Sequence, residues 1–455
     1  MVNDVSGPAT APLRVIALRS LSEIAPHAEA IDALNLVSRR PSPFATFGFL
    51  RAYLEHDEFP LPGDQVLFLA AFRGDALAGY LPLRSTVRRA FGLPYREIEL
   101  FVTRDADRPH LVARAEDEPA CAAAFYRHLA ARERWSAIDL AFQDEASALW
   151  PVAGLRWPWY RTRRYPDMEN TTVPTPYASL AEFYRTLPSN FRSTVSRMSR
   201  RLLAAGQVET VSCHATGARR PLLDLFVDVE QRSWKAIPNV GLARSAARLD
   251  FFRALAEADQ PLALSYDFVL LDGVPISAMM SASFDGRWYA LETGYDTAYA
   301  DLSPGYLTWL LAFRHGIAQG LGSYNLQTGF SYYKSRWRGE VTPTFIAQVH
   351  RVPSLPWLKG RLGDLRRMIV RRAGKQAHNE VKREADRQGQ AEPGAPRPDR
   401  TGAAALAART LAALAAGGVS FERLSGPALL AALPFQPDAG KQKPGRPQRR
   451  PQVPV

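Results

Sequence analysis

Three consecutive apolar runs joined by two Asp-Gly turns constrain the fold of this chain more than any other feature. The runs span Leu262–Leu271, Val274–Phe284 and Trp288–Tyr295, and the turns are Asp272-Gly273 and Asp285-Gly286. An Asx-Gly pair between apolar runs is typical of a tight hairpin turn. The segment therefore predicts three consecutive antiparallel strands.

The same order of elements occurs earlier in the chain. Val66–Phe72 and Ala76–Ser85 read as two strands that turn at Gly74, with helices before them and a helix and a strand after them. Both halves therefore predict a mixed α/β unit, and the repeat suggests an ancient duplication. The stretch Pro151–Pro176 is rich in Pro, Trp and Arg and lacks a clear period, so it is predicted to be the crossover between the halves.

Composition and charge divide the chain further. With 455 residues, of which 46% are hydrophobic, there is room for two cores of ordinary size. From residue 351 onwards there are 20 Lys and Arg against 8 Asp and Glu, whereas residues 1–350 hold 37 of each class. The body is thus formally neutral, and we expect no specific nucleic-acid partner.

The predicted organisation is an N-terminal domain over 12–165, a C-terminal domain over 177–352 and a tail over 353–455. The tail is rich in Pro, Gly, Gln and Arg and is predicted to be basic and largely disordered, with one helix at Ala403–Ala416. Its charge would suit an anionic membrane surface or an acidic polymer.

The sequence also predicts where the protein works and what it lacks. The longest apolar stretch is about nine residues, short of the ~18–20 that span a bilayer, and the N-terminus has no basic region followed by an apolar core. We expect a cytoplasmic protein, peripheral at the inner membrane face if the tail binds there. Two cysteines and eight scattered histidines predict no metal site.

The segment Asp301-Leu-Ser-Pro-Gly-Tyr-Leu307 has the signals of a helix start. Ser303 is predicted to cap the helix, Pro304 suits its first turn, and Gly305 leaves the backbone approachable. Free N–H groups at such a start attract a phosphate or a pyrophosphate. On the local sequence alone, a capped helix without a ligand is the more common case, so the surrounding motifs must decide.

Those motifs resemble a known family. They are Leu271-Asp-Gly-Val-Pro-Ile-Ser-Ala278, Trp288-Tyr-Ala-Leu-Glu-Thr-Gly-Tyr-Asp296, the Ser303-Pro-Gly305 start, Gly320-Leu-Gly-Ser-Tyr-Asn-Leu-Gln-Thr-Gly-Phe-Ser-Tyr-Tyr-Lys-Ser-Arg-Trp337, the basic helix Ser189–Ala205 and the aromatic helix Pro43–Tyr53. As a set they resemble the BioF2-like acetyltransferases of the GNAT superfamily. This family includes the CelD and BcsL cellulose-biosynthesis acetyltransferases and is related to the Fem peptidyltransferases. The resemblance covers roughly residues 40 to 350.

The resemblance implies an α/β fold of tandem GNAT-like, Fem-like mixed sheets flanked by helices. It also implies an acyl donor bound in the second half, where two strands splay before the Ser303-Pro304-Gly305 helix. One departure is that the usual pyrophosphate loop, Arg/Gln-x-x-Gly-x-Gly/Ala, is absent, and Arg89-Ala-Phe-Gly-Leu-Pro94 only approaches it. Acetyl-CoA, another acyl-CoA and an aminoacyl-tRNA therefore all remain open as donors.

Candidate site residues follow from charge, spacing and the resemblance. Lys334 matches the family's Tyr-Lys…Trp pattern and is a candidate for donor binding and for oxyanion stabilisation. Glu292 and Asp296 flank the expected donor strand and are candidate general bases. The remaining candidates are Ser303, Gly305 and Tyr306 for the donor, and Arg192, Arg197, Arg201, Trp234 and Tyr332 for the acceptor.

Three functions remain open from the sequence. The first is an acyltransferase that moves an acyl group from acyl-CoA to an amine or hydroxyl of a small-molecule or saccharide acceptor, in surface polysaccharide synthesis such as that of cellulose. The second is a Fem-like transferase that uses aminoacyl-tRNA, although no long heptad arm is present. The third is a non-catalytic accessory protein of polysaccharide synthesis. No nucleophile elbow or dinucleotide motif supports another class.

Overall fold

The structure is a computed structural model that describes residues 12–56, 64–101, 106–150, 160–213, 219–236, 241–257, 262–329, 332–362 and 399–434. Within these residues, one mixed sheet of 14 strands runs through both halves of the chain. The strands are β1 Arg14–Leu18, β2 Gln65–Arg73, β3 Ala76–Ala90, β4 Leu93–Leu100, β5 Val112–Ala113, β6 Ala137–Gln143, β7 Tyr160–Pro174, β8 Val208–Cys213, β9 Ala263–Leu271, β10 Val274–Phe284, β11 Arg287–Tyr295, β12 Ser323–Thr328, β13 Glu340–Arg351 and β14 Glu422–Ser425. Their order is β1-β2-β3-β4-β6-β13-β7-β12-β11-β10-β9-β8-β14, and β5 pairs with β3.

Helices cover both faces of this sheet. The α-helices are α1 Leu21–Ile24, α2 Ala28–Leu36, α3 Phe47–His56, α4 Glu118–Arg132, α5 Leu180–Thr186, α6 Ser189–Leu203, α7 Arg219–Gln231, α8 Ala246–Glu257, α9 Gly305–Ala318, α10 Tyr332–Ser335, α11 Thr401–Ala416 and α12 Gly426–Ala432. A 3-10 segment over Thr297–Leu302 precedes α9. The predicted α/β class with tandem mixed sheets is therefore confirmed.

The predicted hairpins are confirmed in both halves. In the second half, β9, β10 and β11 are consecutive antiparallel neighbours. Asp272 and Gly273 have φ angles of 52° and 78°, and Asp285 and Gly286 have 47° and 67°. Two successive positive φ angles are the signature of the turn that matches strand twist, and Gly in the second place tolerates them at no steric cost.

A pair of long strands that the sequence did not predict joins the two halves. β7 lies inside the stretch expected to be an irregular crossover, and β13 pairs with it over eleven residue pairs, from Glu340 with Thr172 to Arg351 with Tyr160. β13 also pairs with β6 of the first half. The many exposed charged residues of β7 hid its strand character, because hydrophobic alternation is the signal that sequence patterns detect.

Part of the predicted tail is folded into the second half. The predicted helix at Ala403–Ala416 is confirmed as α11, which packs on α7 and β10. β14 then pairs antiparallel with β8, which extends the sheet edge. Residues 399–434 thus differ from the predicted disordered tail, because Leu411, Leu414 and Leu429 give this segment an apolar face to bury. Residues 353–362 of the predicted tail are also described and are helical from 355 to 362. The tail residues 363–398 and 435–455 lie outside the described residues.

The core is continuous between the halves and fixes their relative position. One cluster of buried side chains contains residues from α3 of the first half and from α8 of the second. The ring of Phe49 meets that of Phe251 edge to face at 5.3 Å, and Phe44 meets Tyr289 in the same way at 5.6 Å. Such aromatic contacts add to the burial of apolar surface and hold β11 against the N-terminal helices.

Candidate functional site

A large cavity opens where β11 and β12 separate. These parallel strands pair only at Arg287–Tyr289 with Ser323–Asn325. From Ala290 on β11 and Leu326 on β12 onwards, both strands line a cavity of about 630 Å³. The volume lies in the range of sites that hold a small-molecule ligand or cofactor. The strand separation that the family resemblance implied is therefore present.

Local irregularities in both strands shape this cavity. The register of β11 against β10 shifts between Met280 and Ser281, which leaves Leu291 as an extra residue on β11. On β12, Gln327 adopts a φ angle of 62°, which is costly for a residue with a side chain. The carboxamide nitrogen of Gln327 is buried and has no hydrogen-bond partner in the described structure. A ligand group in the cavity would supply that partner.

The start of α9 lies in the cavity wall, but it differs from the predicted cap. Ser303 has a left-handed backbone (φ 49°, ψ 51°), and its hydroxyl faces the carbonyl of Ala300 instead of capping α9. Pro304 occupies the cap position without a side-chain hydrogen bond, and the first turn of α9 has no acidic residue. A Cβ built on Gly305 would meet no atom within 4 Å. The helix start is thus open towards the cavity and has no carboxylate that would oppose an anion.

Aromatic residues form the apolar wall. Trp309 and Trp337 line the cavity together with Tyr306. The Trp337 ring lies 5.0 Å from that of Phe191 on α6 and 5.1 Å from that of Phe313 on α9. The indoles are therefore held by packing on two helices, which gives the wall a fixed shape.

Lys334 extends a cation into this cavity from α10. Its Nζ donates a hydrogen bond to the carbonyl oxygen of Thr328, the last residue of β12, at 3.2 Å. Burial lowers the pKa of Lys334 to about 8, although the charges of Asp107 and Glu292 oppose that shift. Both protonation states are accessible near neutral pH, so Lys334 is suited to proton transfer.

Glu292 lines the same cavity, within a buried network of charges. Arg248 donates to its Oε1 at 2.7 Å, and the ammonium of Lys235 contacts its Oε2. Lys235 also donates to Oε1 of Glu230 at 3.1 Å, and the other oxygen of Glu230 accepts the backbone N–H of Leu242 at 2.5 Å. The network spans α7, α8, β11 and the turn after α7.

The network determines the protonation state of Glu292. Burial raises the pKa of this carboxyl, but Lys235 and Arg248 outweigh burial and lower it below its usual value. The same carboxylates raise the pKa of Lys235 despite its own burial. An ionised carboxylate held by two cations is a weak proton acceptor, so the geometry favours a positioning role for Glu292 over the predicted role of general base.

Asp296, the other predicted base, does not line the cavity. Its side chain is fully buried, 2.6 Å from Arg232 and 2.8 Å from Arg400, and it accepts the N–H of Ala298. These hydrogen bonds outweigh burial and lower the pKa of Asp296. Asp296 anchors the 3-10 segment before α9 and ties it to the start of the C-terminal segment.

The predicted acceptor-binding arginines also lie outside the cavity lining. Arg192 donates to the carbonyl of Arg185, Arg197 is exposed, and Arg201 pairs with Asp301 at 2.9 Å. α6 packs its apolar face against α9 and the 3-10 segment, and Arg201 lies at the edge of that contact, where it meets Asp301 of the 3-10 segment. Arg201 acts on the segment that leads to Ser303 instead of lining the cavity.

Two further predicted residues have different outcomes. Trp234 lines the cavity, with 47% of its surface exposed, so it forms part of the rim. Tyr332 begins α10, but its side chain lies outside the described part of the structure. Of the predicted site residues, the structure brings together these: Glu292, Ser303, Gly305, Tyr306, Lys334 and Trp234.

Sequence reasoning missed Lys235, Glu230, Arg248 and Gln327. A signal for Lys235 was present, since the chain has 50 Arg and 7 Lys, and only Lys235 and Lys334 precede residue 351. Both of these lysines line the same cavity. Where arginine fills nearly every cationic surface position, a lysine marks a place that needs a smaller group that can titrate.

Neither metal clusters nor membrane spans occur in the described ranges. The described residues contain no group of three or more His, Cys, Asp and Glu side chains that is suited to hold a metal ion. None of their helices combines the length and the hydropathy that crossing a bilayer requires.

Comparison with known proteins agrees with this geometry. Residues 189–335 match the model of the acetyltransferase (GNAT) domain. The match includes β11, the start of α9, β12 and Lys334, and hence most of the cavity. The second half of the chain therefore carries a GNAT acetyltransferase domain, which supports an acyltransferase.

Solved structures extend the likeness to both halves. The crystal structure of FemX aligns at 12% identity with a TM-score of 0.50, over 73% of this chain and 96% of that one. A tandem GNAT protein from the clavulanic acid biosynthesis pathway aligns at 11% identity and a TM-score of 0.42, over 75% of this chain and 99% of that one. The C-terminal domain of a putative lysylphosphatidylglycerol synthetase from Agrobacterium fabrum aligns at 13% identity with a TM-score of 0.44. The alignment covers 72% of this chain and 92% of that one. No curated protein matches the chain. The likeness to FemX over most of both chains shows a Fem-like fold, in which the second half matches the GNAT domain model.

Proposed function

We propose that this protein is an acyltransferase that transfers an acyl group from acyl-CoA to an amine or hydroxyl of its acceptor. The observation that carries the proposal is the cavity between β11 and β12, which meets both the open start of α9 and Lys334. The donor phosphates would lie at Gly305 and Tyr306, where the helix start attracts anions. The thioester arm would follow the gap between the strands towards Lys334.

Two features of the cavity fit such a donor. The space beside Gly305 has no atom within reach of a Cβ, so a phosphate can approach the backbone there. The buried carboxamide of Gln327 lacks a partner, and a carbonyl oxygen of the donor arm would provide one. The tryptophans Trp309 and Trp337 would cover the arm and exclude water.

In the proposed reaction, the acceptor nitrogen or oxygen attacks the thioester carbonyl and forms a tetrahedral oxyanion. The ammonium of Lys334 stabilises that oxyanion and donates a proton to the sulfur as the C–S bond breaks. The neutral amine of Lys334 then takes the proton that the acceptor atom loses. The products are the acylated acceptor and CoA thiol, and Lys334 returns to its starting state. A pKa of about 8 for Lys334 lies near that of a leaving thiol, which suits this exchange.

For the acceptor, the resemblance to the BioF2-like acetyltransferases supports a saccharide or its precursor in surface polysaccharide synthesis. That acceptor class and the choice of acetyl over other acyl groups are parts of the proposal. Both would be assigned by assaying release of free CoA thiol with acetyl-CoA and longer acyl-CoAs against a panel of amino sugars, sugars and nucleotide sugars.

Titration calorimetry with CoA tests the donor first. We expect CoA to bind saturably to the full chain. The variant Gly305→Asp, which carries a carboxylate at the start of α9, should bind CoA more weakly. Absence of CoA binding at millimolar concentration would overturn the acyl-CoA proposal. A protein that ignored CoA but bound charged tRNA, with an affinity that fell steeply with salt, would be an aminoacyl transferase instead.

A further inference from the structure

A second cavity, polar and smaller, lies between the two halves. Its volume is about 290 Å³, and its lining comes from the first half, from Thr172 on the joining strand β7, and from β11 and β12 of the second half. The polar side chains of the wall include Arg40, Asp107, Arg108, Arg287, Tyr289 and Asn325. Such a wall suits a charged or strongly polar ligand and not an apolar one.

Positive charge predominates in this wall. It holds the guanidinium groups of Arg40, Arg108 and Arg287 against the single carboxylate of Asp107. Arg40 donates to Asp144 and to the carbonyl oxygen of Arg108, each at 2.7 Å. Arg39 reaches Asp144 at 3.6 Å but pairs more closely with Glu118, at 2.7 Å. No carboxylate pairs with Arg287 in the described ranges, and this residue lies exposed at the start of β11. Arg287 therefore supplies the positive charge of this wall that the carboxylates around it do not neutralise.

The carboxylate of Asp107 is already held by fixed partners. One of its oxygens accepts from the amide of Asn170 at 2.8 Å, and the other accepts from the amide of Asn325 at 2.7 Å and from Arg108 at 3.1 Å. Because four side chains form this cluster, Asp107 is not free to turn towards Arg40 or Arg287. The cluster also ties the first half to β7 and β12.

The electrostatic state of Arg40 agrees with a surplus of positive charge. Burial, and then repulsion by Arg108, lower the pKa of Arg40 to about 10, well below the ordinary value for arginine. An anion in the cavity would offset that repulsion. The two N–H edges of a guanidinium match the oxygens of a phosphate or a carboxylate.

The polar cavity and the large one meet the sheet at neighbouring positions of both strands. Tyr289 and Asn325 line the polar cavity and form the last pair of the β11–β12 ladder. The next residues, Ala290 and Leu326, line the large cavity, and successive residues of a strand face opposite sides of the sheet. Beyond the Tyr289 and Asn325 pair the two strands no longer pair with each other, so the gap between them connects the two sides of the sheet.

We propose that the polar cavity binds an anionic group of the acyl acceptor, a phosphate or a carboxylate, held by Arg40, Arg108 and Arg287. This inference rests on the proposed acyltransferase function and assigns the substrate class of its acceptor. The anionic group lies between the halves, and the amine or hydroxyl of the same molecule extends past the Tyr289 and Asn325 pair to Lys334. Donor and acceptor thus enter by separate cavities and meet where the strands part.

Titration calorimetry on the full chain tests this site, with inorganic pyrophosphate and glutarate as separate probes, each in the presence of saturating CoA. The CoA occupies the phosphate site at the start of α9, and we expect at least one probe to bind to the chain that already holds CoA. Pyrophosphate binding alone assigns a phosphorylated acceptor, and glutarate binding alone assigns a carboxylated one. Binding of both assigns an anion site that accepts either group.

Matched arginine variants locate the binding. Because Arg287 is exposed, the variant Arg287→Gln should fold normally. We expect this variant to weaken probe binding at least tenfold while CoA binding is unchanged. Arg220→Gln removes an equally exposed arginine far along the chain, on α7, whose partner is Glu257, and should leave both affinities as they are. A second cavity variant, Arg108→Gln, should repeat the loss seen with Arg287→Gln.

Two results would overturn the inference. The first is that neither probe binds to the CoA-saturated chain at about 10 mM. The second is that Arg287→Gln binds the probe as tightly as the parent does. If CoA itself failed to bind, the proposed function would fall, whereas CoA binding without probe binding would remove only the acceptor site.

Discussion

The two halves place the same elements in the same order, yet only one of them opens. In the second half, Ala290 and Leu326 follow the parallel pairing of β11 and β12 and line a cavity of about 630 Å³. In the first half, β4 and β6 pair in parallel at Glu97–Glu99 with Ala137–Asp139. The residues that follow there, Leu100 and Leu140, are at most 1% exposed and belong to a packed core.

The starts of α4 and α9 also differ, and again only the second half is open to a ligand. α4 of the first half begins with Glu118, a buried acid that pairs with Arg39 at 2.7 Å. α9 of the second half has no acid in its first turn and begins at Gly305. A carboxylate in the first turn satisfies the positive end of the helix internally, whereas its absence leaves that end for a ligand. The first half thus differs from the second in two respects: apolar side chains fill the space between its parallel strands, and an acidic residue occupies the start of its helix.

Replacement of Lys334 should remove most of the acyltransferase activity that we propose for the second half. Lys334→Ala should lower kcat by about 10²- to 10⁴-fold, the usual contribution of a proton-transfer group. Lys334→Arg should keep CoA affinity within a few-fold, because the charge stays, but should recover little of kcat. Steady-state kinetics and CoA calorimetry measure the two effects. Retention of kcat in Lys334→Ala would show that the cavity does its chemistry without this residue.

Loss of the C-terminal segment should destabilise the second half. A chain that ends at residue 398 lacks Leu411, Leu414 and Leu429, each of which stabilises by about 1.5–3 kcal/mol when buried. It also loses the Asp296 ion pair of Arg400. We expect the thermal midpoint to fall by about 10 °C or more. A chain that ends at Pro434 is the control, since it keeps every packed residue of the described structure, and an equal midpoint for the two truncations would contradict this view.

The pH profile should follow Lys334. Its ammonium form is the proton donor, and its pKa is about 8, so activity at saturating substrate should fall as pH rises through that value. The fall should reach about tenfold one pH unit above the pKa. Measurement of kcat from pH 6 to 10, with buffer ions varied, gives the profile. The fall of kcat at high pH should disappear in Lys334→Arg, whose residual activity serves as the control. If this variant shows the same fall, the fall is caused by another group.

A carboxylate introduced at the start of α9 tests the difference between the starts of α4 and α9. Gly305→Asp gives α9 the acidic first turn of α4, and we expect it to weaken CoA binding about tenfold, equivalent to 1.4 kcal/mol, while stability holds or rises slightly. Gly305→Ala is the matched control, because a Cβ at this position meets nothing within 4 Å. Equal CoA affinities for the two variants would place the donor phosphates elsewhere.

The smallest effect should come from His315, which links α9 to β14. Its Nε2 lies 2.8 Å from Glu422 and its Nδ1 lies 3.3 Å from Asp267. Burial lowers the pKa of His315, but the two carboxylates outweigh burial and raise it. A raised folded-state pKa contributes stability that is present below the unfolded value of 6.5 and is lost as pH rises through the folded value. Chemical denaturation at pH 6 and at pH 9 should show a small loss that His315→Gln removes.

The sequence predicted the parts of the molecule that are built from local signals. The Asp-Gly turns located β9 to β11, and the motif Ser303-Pro304-Gly305 located α9, because turn and cap residues act on their immediate neighbours. The motif around Lys334 also gave a residue of the cavity. These features need only a few adjacent residues to be recognised.

What the sequence hid depends on distant partners. β7 and β13 stabilise each other, and neither has the apolar alternation of a strand. The buried position of Asp296 depends on its ion pairs with Arg232 and Arg400, which lie far away in the sequence. The arginines of α6 looked like a binding surface because helix spacing does not tell which face packs. The only sequence signal for Lys235 was that lysine is rare in this chain.

The position of β13 has a consequence for the order of synthesis. β6 ends at Gln143, but the strand that covers its free edge begins only at Glu340. At 5–20 residues per second, a ribosome needs about 10–40 s to make the intervening chain. During that interval the first half has an uncovered strand edge, which is a template for pairing with another chain. A fragment that ends at Gln143 should therefore self-associate more than the full chain does.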